Sequence, residues 1–391
     1  MLRNPAFRAR VSFTCVLAVG WSLAGLAGTA RGATFVGDAD CISCHQPQGV
    51  AFARTAHHNT SSLPSRETIH GRFDPGANIL RSVNNRDLHF EMEATPEGFT
   101  QTAKIRISPT QVLARTEKIG VVIGSGRKGQ TYLFWDGDQL FELPVSYWTA
   151  LGAWINSPSY PDGTASFERP VFARCLECHA TRFTSTAPPL NRFDASSLVL
   201  GVNCEKCHGP GSEHVARFRS PNPPRTPAAM AIVNPARLPR DRQIDVCALC
   251  HAGIGESVDA PLSFAAGDDL SRHLKFPVLD ESAPIDVHAS QVQLLERSRC
   301  FRASPGLTCA TCHDVHRPQR NLAEFAQACR KCHAVESCRK FPSLGVAIAT
   351  DCVRCHMPDQ ETNQIIASLN GKSLQPKVRN HRIAIYPEST K

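Results

Sequence analysis

The chain is poor in aromatic residues. They make up 7% of its 391 residues, with four Trp and four Tyr. A core built from side chains alone is therefore thin for this length. Methionine is scarce too, four including Met1, so thioether ligation of a metal is at most occasional. Beyond the first 30 residues no apolar run is long enough to span a bilayer. Charged residues are only 20%, yet with 42% apolar residues the composition excludes an intrinsically disordered chain. The formal charge of +8 invites an anionic partner such as nucleic acid or lipid. What is plentiful is cysteine, with 17 residues, and histidine, with 16. That is too much cysteine for an ordinary cytosolic enzyme and too little per residue for a small disulfide scaffold.

Fourteen of the cysteines fall in seven C-x-x-C-H pentads. The cysteine pairs are Cys41 and Cys44, Cys175 and Cys178, Cys204 and Cys207, Cys247 and Cys250, Cys309 and Cys312, Cys329 and Cys332, and Cys352 and Cys355. The adjoining histidines are His45, His179, His208, His251, His313, His333 and His356. Random placement of this composition would give about 0.03 such pentads. Two thiols three residues apart can add across the two vinyl groups of one haem, and the next histidine then reaches its iron. Each pentad thus predicts one covalent c-type haem with a proximal histidine, seven in all. Zinc ribbons also use C-x-x-C pairs, but zinc has no use for a histidine after every second cysteine. A thioredoxin-like motif occurs once, and a disulfide framework gives no reason for identical pentads.

The N-terminus fits export. Arg3, Arg8 and Arg10 precede an uncharged run over 11–30, and small-residue cleavage sites follow near residues 30–33. A cleaved signal peptide over 1–32 and a periplasmic location are expected, with membrane anchoring not expected after cleavage. An uncleaved anchor is the alternative. Cys15 leaves with the signal. Cys300 and Cys338 remain outside the pentads, either as a disulfide or as two separate thiols.

Pentad spacing divides the rest. Residues 33–79 carry the first site. Residues 80–148 read as a small antiparallel β insert, because LHFEMEA (88–94) and FTQTAKIRI (99–107) alternate. QTYLFW and QLFELPV flank a hairpin signal at residues 136–138. Residues 149–361 form the multihaem part with six sites, and 362–391 a polar tail with a strand-like HRIAIY (381–386). The six later sites are too crowded for a separate core around each, so stacked haems are expected to be the core. The fold class expected is mainly α with much irregular structure, plus the β insert. The GSGRKG stretch (124–129) matches a dinucleotide fingerprint only formally, since it runs into a strand-like segment, and reads as a turn.

Nine histidines lie outside the pentads, enough for a second imidazole on each of seven irons. His57, preferred over His58, His214 in CHGPGSEH and His316 in CHDVH are the stronger candidates. His288, His381 and His89 follow, and His70 and His273 are weaker.

With VGDADCISCH…ARTAHH, RCLECHATR, NCEKCHGPGSEHV, LTCATCHDVH and DCVRCHMP…NHRI in place, the chain resembles the bacterial periplasmic multihaem cytochromes c. It is similar to the group related to the tetrahaem cytochromes of ammonia oxidisers and, more distantly, to hydroxylamine oxidoreductase and ammonia-forming nitrite reductase. The resemblance implies close haem pairs, bis-His ligation and histidines drawn from distant segments, with His57, His214, His316 and His381 the best distal candidates. The chain departs from the nitrite reductases in having no C-x-x-C-K pentad, and no tyrosine adjoins a pentad as in hydroxylamine oxidoreductase.

The function expected first is electron transfer between redox partner proteins, a quinol-linked donor and a periplasmic acceptor, with no nucleic acid involved. The alternative is a multihaem oxidoreductase acting on nitrite, hydroxylamine or sulfite at one five-coordinate haem. A haem sensor or docking module is a third reading. Charge does not favour nucleic acid once haem is counted. Signal cleavage removes four arginines and each ferric haem adds net negative charge, so the holoprotein turns acidic.

Overall fold

The computed structural model describes residues 32–186, 190–223, 225–226, 230–278, 290–362 and 366–386. The N-terminal segment read as a signal, and His288, lie outside the described residues. Helix and strand each account for about 27%. The mainly α expectation is therefore wrong. The reason lies in where apolar side chains can be buried. The pentad segments form short helices, while the alternating segments, and several not recognised as such, pair into antiparallel sheets.

One sheet is a four-stranded meander of Ile79–Arg81, Leu88–Thr95, Gly98–Ser108 and Gln111–Lys118. Alternation in LHFEMEA puts Leu88, Phe90 and Met92 inward, each almost fully buried. A nine-stranded sheet packs with it. Its path runs Ser61–Ser62, Val121–Ile123, Gly129–Asp136, Val145–Trp148, Ala153–Asn156, Ala367–Leu369 and Lys372–Leu374, with Gln139–Glu142 and Arg169–Pro170 branching from Gly129–Asp136. The hairpin at 136–138 is present: Asp136 pairs with Gln139 around a two-residue loop, and Gly137 takes φ 60°. GSGRKG is a turn between two strands of this sheet. Phe90, Met92, Tyr132, Phe134, Leu143, Val145 and Trp154 form the shared core.

The β structure reaches beyond the expected insert. Ala180–Ser185 pairs with Phe193–Leu200 between the second and third pentads, and Asp359–Glu361 pairs with Lys377–Arg379 after the seventh. HRIAIY itself is irregular rather than a strand. Near the later pentads the chain forms the short helices Gln291–Glu296, Arg299–Ala303 and Leu322–Arg330. No described helix is long and apolar enough to cross a membrane.

Candidate haem-binding sites

Most pentads sit on single turns of helix. The amide of His45 donates to the Cys41 carbonyl at 2.9 Å, His313 to Cys309 at 3.0 Å and His333 to Cys329 at 3.0 Å. Residues three and four apart share one helical face. One turn therefore points two sulfurs and an imidazole to the same side, as attachment to one porphyrin requires. Ala173–His179, Cys204–His208, Arg240–His251 and Cys352–His356 do this as α-helix, and Cys309–Thr311 begins the fifth site as 3₁₀.

The first pentad differs from these. Its helix, Asp38–Ile42, ends before the second cysteine and has no buried residue. Cys44 therefore lies in the turn beyond the helix, where its amide donates to the Cys41 carbonyl at 3.2 Å. Cys44 is exposed, and its sulfur lies 3.8 Å from the Oγ of its chain neighbour Ser43. Cys41, one turn earlier, is half-buried against the third pentad. Cys175 and Cys332 are exposed as well.

Four pentad histidines face a second imidazole across a gap. Ring centres are 6.3 Å apart for His45 and His214, 6.2 Å for His208 and His316, 6.3 Å for His313 and His381, and 6.0 Å for His251 and His57. The partner histidine always comes from outside the pentad's own neighbourhood. His214 follows the third pentad but faces the first. His316 follows the fifth but faces the third. His381 follows the seventh but faces the fifth, and His57 follows the first but faces the fourth.

The spacing tests the expected cofactor directly. An imidazole nitrogen binds a transition metal at about 2 Å and lies about 1.1 Å from its ring centre, so two imidazoles on one iron have centres roughly 6.2 Å apart. The observed gaps fit. The tautomers fit as well. The Nδ1 atoms of His208, His214, His356 and His381 lie 2.8, 2.7, 2.8 and 3.0 Å from the carbonyl oxygens of Val233, Met230, Ala384 and Arg379. A carbonyl only accepts, so each Nδ1 carries the proton and each Nε2 keeps its lone pair for a metal. Burial holds His57, His208 and His381 below the ordinary imidazole range, which favours the neutral, ligating form. Zinc would need several side chains converging on one point, and no group of three or more His, Cys, Asp or Glu does so among the described residues.

Thiols of different pentads lie side by side. Cys41 adjoins Cys204, Cys178 adjoins Cys250, and Cys247 adjoins Cys309. Cys329 lies within electrostatic reach of both Cys312 and Cys352. Lys206, half-buried within the third pentad, lies within electrostatic reach of Cys178 and Cys250. The pentads thus form one continuous series of neighbours in space.

Long-range hydrogen bonds hold them there. Asp38 accepts from the Cys204 amide at 3.0 Å, and the buried Glu205 carboxylate accepts from the Val36, Gly37 and Gly211 amides. Together they fasten the first pentad to the third. Thr60 Oγ1 meets His179 Nδ1 at 2.9 Å, and Ser61 Oγ donates to the His179 carbonyl and accepts from the Gly201 amide. His57 is fixed by its carbonyl, which accepts from Val202 at 3.0 Å. Gly201 takes φ 75°, and a Cβ there would collide with the His58 carbonyl oxygen. At the other end His356 and Ala384 exchange two hydrogen bonds, which lays the tail, with His381, between the fifth and seventh pentads. Sequence reading missed Asp38, Glu205 and Gly201. Their role is visible only once distant segments meet, although an acid three residues before the first pentad and one inside the third were available signals.

The remaining candidates lie elsewhere. His89 is on the four-stranded meander, where its Nε2 bonds Glu91 at 3.1 Å, so the structure does not bring it to a pentad. His58 approaches Asp38 at 3.5 Å, His273 bonds Ser263 at 2.8 Å, and the His70 ring lies over Gly126. Cys300 and Cys338 are free thiols, not a disulfide. Cys300 lies near Cys312, whereas Cys338 lies near Cys352 and Cys355.

The family model for cytochrome c554 and c-prime matches residues 162–209, which contain the second and third pentads. No curated relative matches the sequence. Among solved structures the chain is similar to the outer cell wall cytochrome OcwA, with a TM-score of 0.55 at 16% identity, covering 91% of this chain and 80% of that one. The two chains share a fold. An undecahaem cytochrome from the S-layer of Carboxydothermus ferrireducens overlaps less well, with a TM-score of 0.41 at 17% identity over 83% of this chain and 51% of that one. The family match and the shared fold, on a chain with these pentads, indicate covalently bound c-type haem.

Proposed function

We propose that this chain is an exported electron-transfer protein carrying seven covalent c-type haems, most of them ligated by two histidines. The observation that carries the reading is the set of four imidazole pairs at 6.0–6.3 Å, each joining a pentad to a distant segment. Two neutral imidazoles on one iron give a six-coordinate, low-spin centre suited to moving electrons without binding a substrate. His45/His214, His208/His316, His313/His381 and His251/His57 are the axial pairs in this reading. The unbroken neighbour series of pentads supports a wire rather than isolated centres. The uncharged N-terminal run supports export before haem attachment, and hence a periplasmic site exchanging electrons with a quinol-linked donor and a periplasmic acceptor.

Two measurements on the purified holoprotein test this. Intact mass should exceed that of the processed chain by seven haems, and fewer defeats the count. Electron paramagnetic resonance of the oxidised protein should show low-spin signals unchanged by nitrite or hydroxylamine. A high-spin signal that shifts on adding either compound overturns the carrier reading in favour of an oxidoreductase.

A further inference from the structure

The two ends of the pentad series differ in charge. At the first pentad Cys41 adjoins Cys204, and the charged groups acting on it are the carboxylates of Glu205, Asp38 and Asp40. Arg219 is the cation there, 2.6 Å from Asp40. At the far end the balance reverses. The sixth and seventh pentads read CRKCH and CVRCH, with three cations and no anion between their cysteines. Residues 330–354 contain Arg330, Lys331, Arg339, Lys340 and Arg354 against Glu336 and Asp351. All five cations are exposed. They surround the thiols: Arg330 acts on Cys352, Lys340 on Cys355 and Lys331 on Cys312. Asp351 faces the same thiols and is 3.3 Å from Arg354. Cys332 and His333 of the sixth pentad are themselves exposed. A haem adds the same charge at either end, so the contrast between the ends survives loading.

We infer that the surface around the sixth and seventh pentads is a cationic electron exit that docks the acidic face of a redox acceptor protein. The inference rests on the electron-transfer reading above. Cations near a haem favour its ferrous form, because reduction lowers the positive charge they repel; carboxylates at the first pentad do the opposite. Electrons therefore run downhill from the acidic end to the basic end. One electron leaves a ferrous centre there and one acceptor centre is reduced. An acidic acceptor surface is drawn to the same patch and oriented by it.

The test uses the full holoprotein, reduced with dithionite, and two one-electron oxidants of opposite charge, hexacyanoferrate(III) and hexaammineruthenium(III). Arg339→Glu/Lys340→Glu reverses charge at the exit without substituting a pentad residue. Arg81→Glu/Arg86→Glu makes the same net change on the four-stranded meander and serves as control. At low ionic strength the exit variant should lose about tenfold in rate with hexacyanoferrate and gain with hexaammineruthenium. Both differences should fade in 1 M salt. The most positive step of its redox titration should also move down, and the control should change neither rate nor step. The neutral pair Arg339→Gln/Lys340→Gln should give a smaller shift of the same sign and guards against misfolding of the reversal variant. Equal effects in exit and control variants, or none in either, overturn the exit. A protein whose haem bands do not respond to dithionite overturns the electron-transfer reading instead.

Discussion

Two regions of this molecule are held together by different means. The strands between Leu88 and Asn156 bury Phe90, Met92, Tyr132, Phe134 and Leu143 to 1% exposure or less. The pentad region buries less: Arg240–His251 buries Ile244, Ala248 and Leu249, but other helices there bury almost nothing. Helices Asp38–Ile42 and Ser212–Phe218 have no buried residue, and Leu322–Arg330 has only Ala326. Helices this short are marginal alone. The β region is stabilised by its own side chains, whereas the pentad region is built around a flat apolar group that the chain must acquire. The thin aromatic content thus belongs to only one half of the protein, and the haems stand in for side chains in the other.

The largest expected effect comes from withholding haem. In a chain expressed without haem attachment, amides of Leu88–Thr95 and Gly129–Asp136 should keep slow hydrogen exchange. Those of Cys204–His208, Leu322–Arg330 and Cys352–His356 should exchange at nearly unfolded rates. Persistent protection of these helices would break the comparison.

Single substitutions should separate the regions more finely. Phe90→Ala should cost about 3–5 kcal/mol in the unfolding of the β region, with the low-spin haem signals unchanged. His214→Ala should do the reverse, leaving that transition in place and converting one low-spin signal to high spin. If Phe90→Ala alters the haem signals as much as His214→Ala does, the regions are not energetically distinct.

Smaller still is the expected effect at the seam. Gly201→Ala forces a positive φ on a residue with a side chain and pushes the turn carrying His57, at a cost of roughly 1–3 kcal/mol. Because His57 faces His251, a change in one low-spin signal should accompany the loss of stability. A stability loss with every haem signal intact would place the seam wholly in the β region.

How much was legible varied with the kind of information each residue carries. Pentads are local, so sequence spacing alone identified them and their turns. It did not reveal that the first pentad's helix, Asp38–Ile42, ends before Cys44, because helix ends depend on tertiary packing. Alternation in LHFEMEA and the turn at 136–138 made the meander and hairpin readable in the same way as the pentads. The nine-stranded sheet was not readable, because Ser61–Ser62, Arg169–Pro170 and Ala367–Leu369 are too short to show a pattern and gain strand character only by pairing. That is why the expectation of a mainly α chain failed.

The histidines show the same division. Of the six distal candidates, the four that the family resemblance favoured, His57, His214, His316 and His381, face a pentad histidine, whereas His89 does not and His288 lies outside the described residues. Which pentad each one faces was decided by the tertiary structure. His214, for instance, lies on a helix of its own, Ser212–Phe218, beyond the pentad helix Cys204–His208, and it faces the first pentad instead. Only a distant segment, brought in by contacts such as Asp38 with Cys204 or Ala384 with His356, approaches from the opposite face. Likewise, the cations of CRKCH and CVRCH were plain in the sequence, but their gathering at one end of a continuous series, opposite Asp38, Asp40 and Glu205, arises from the fold.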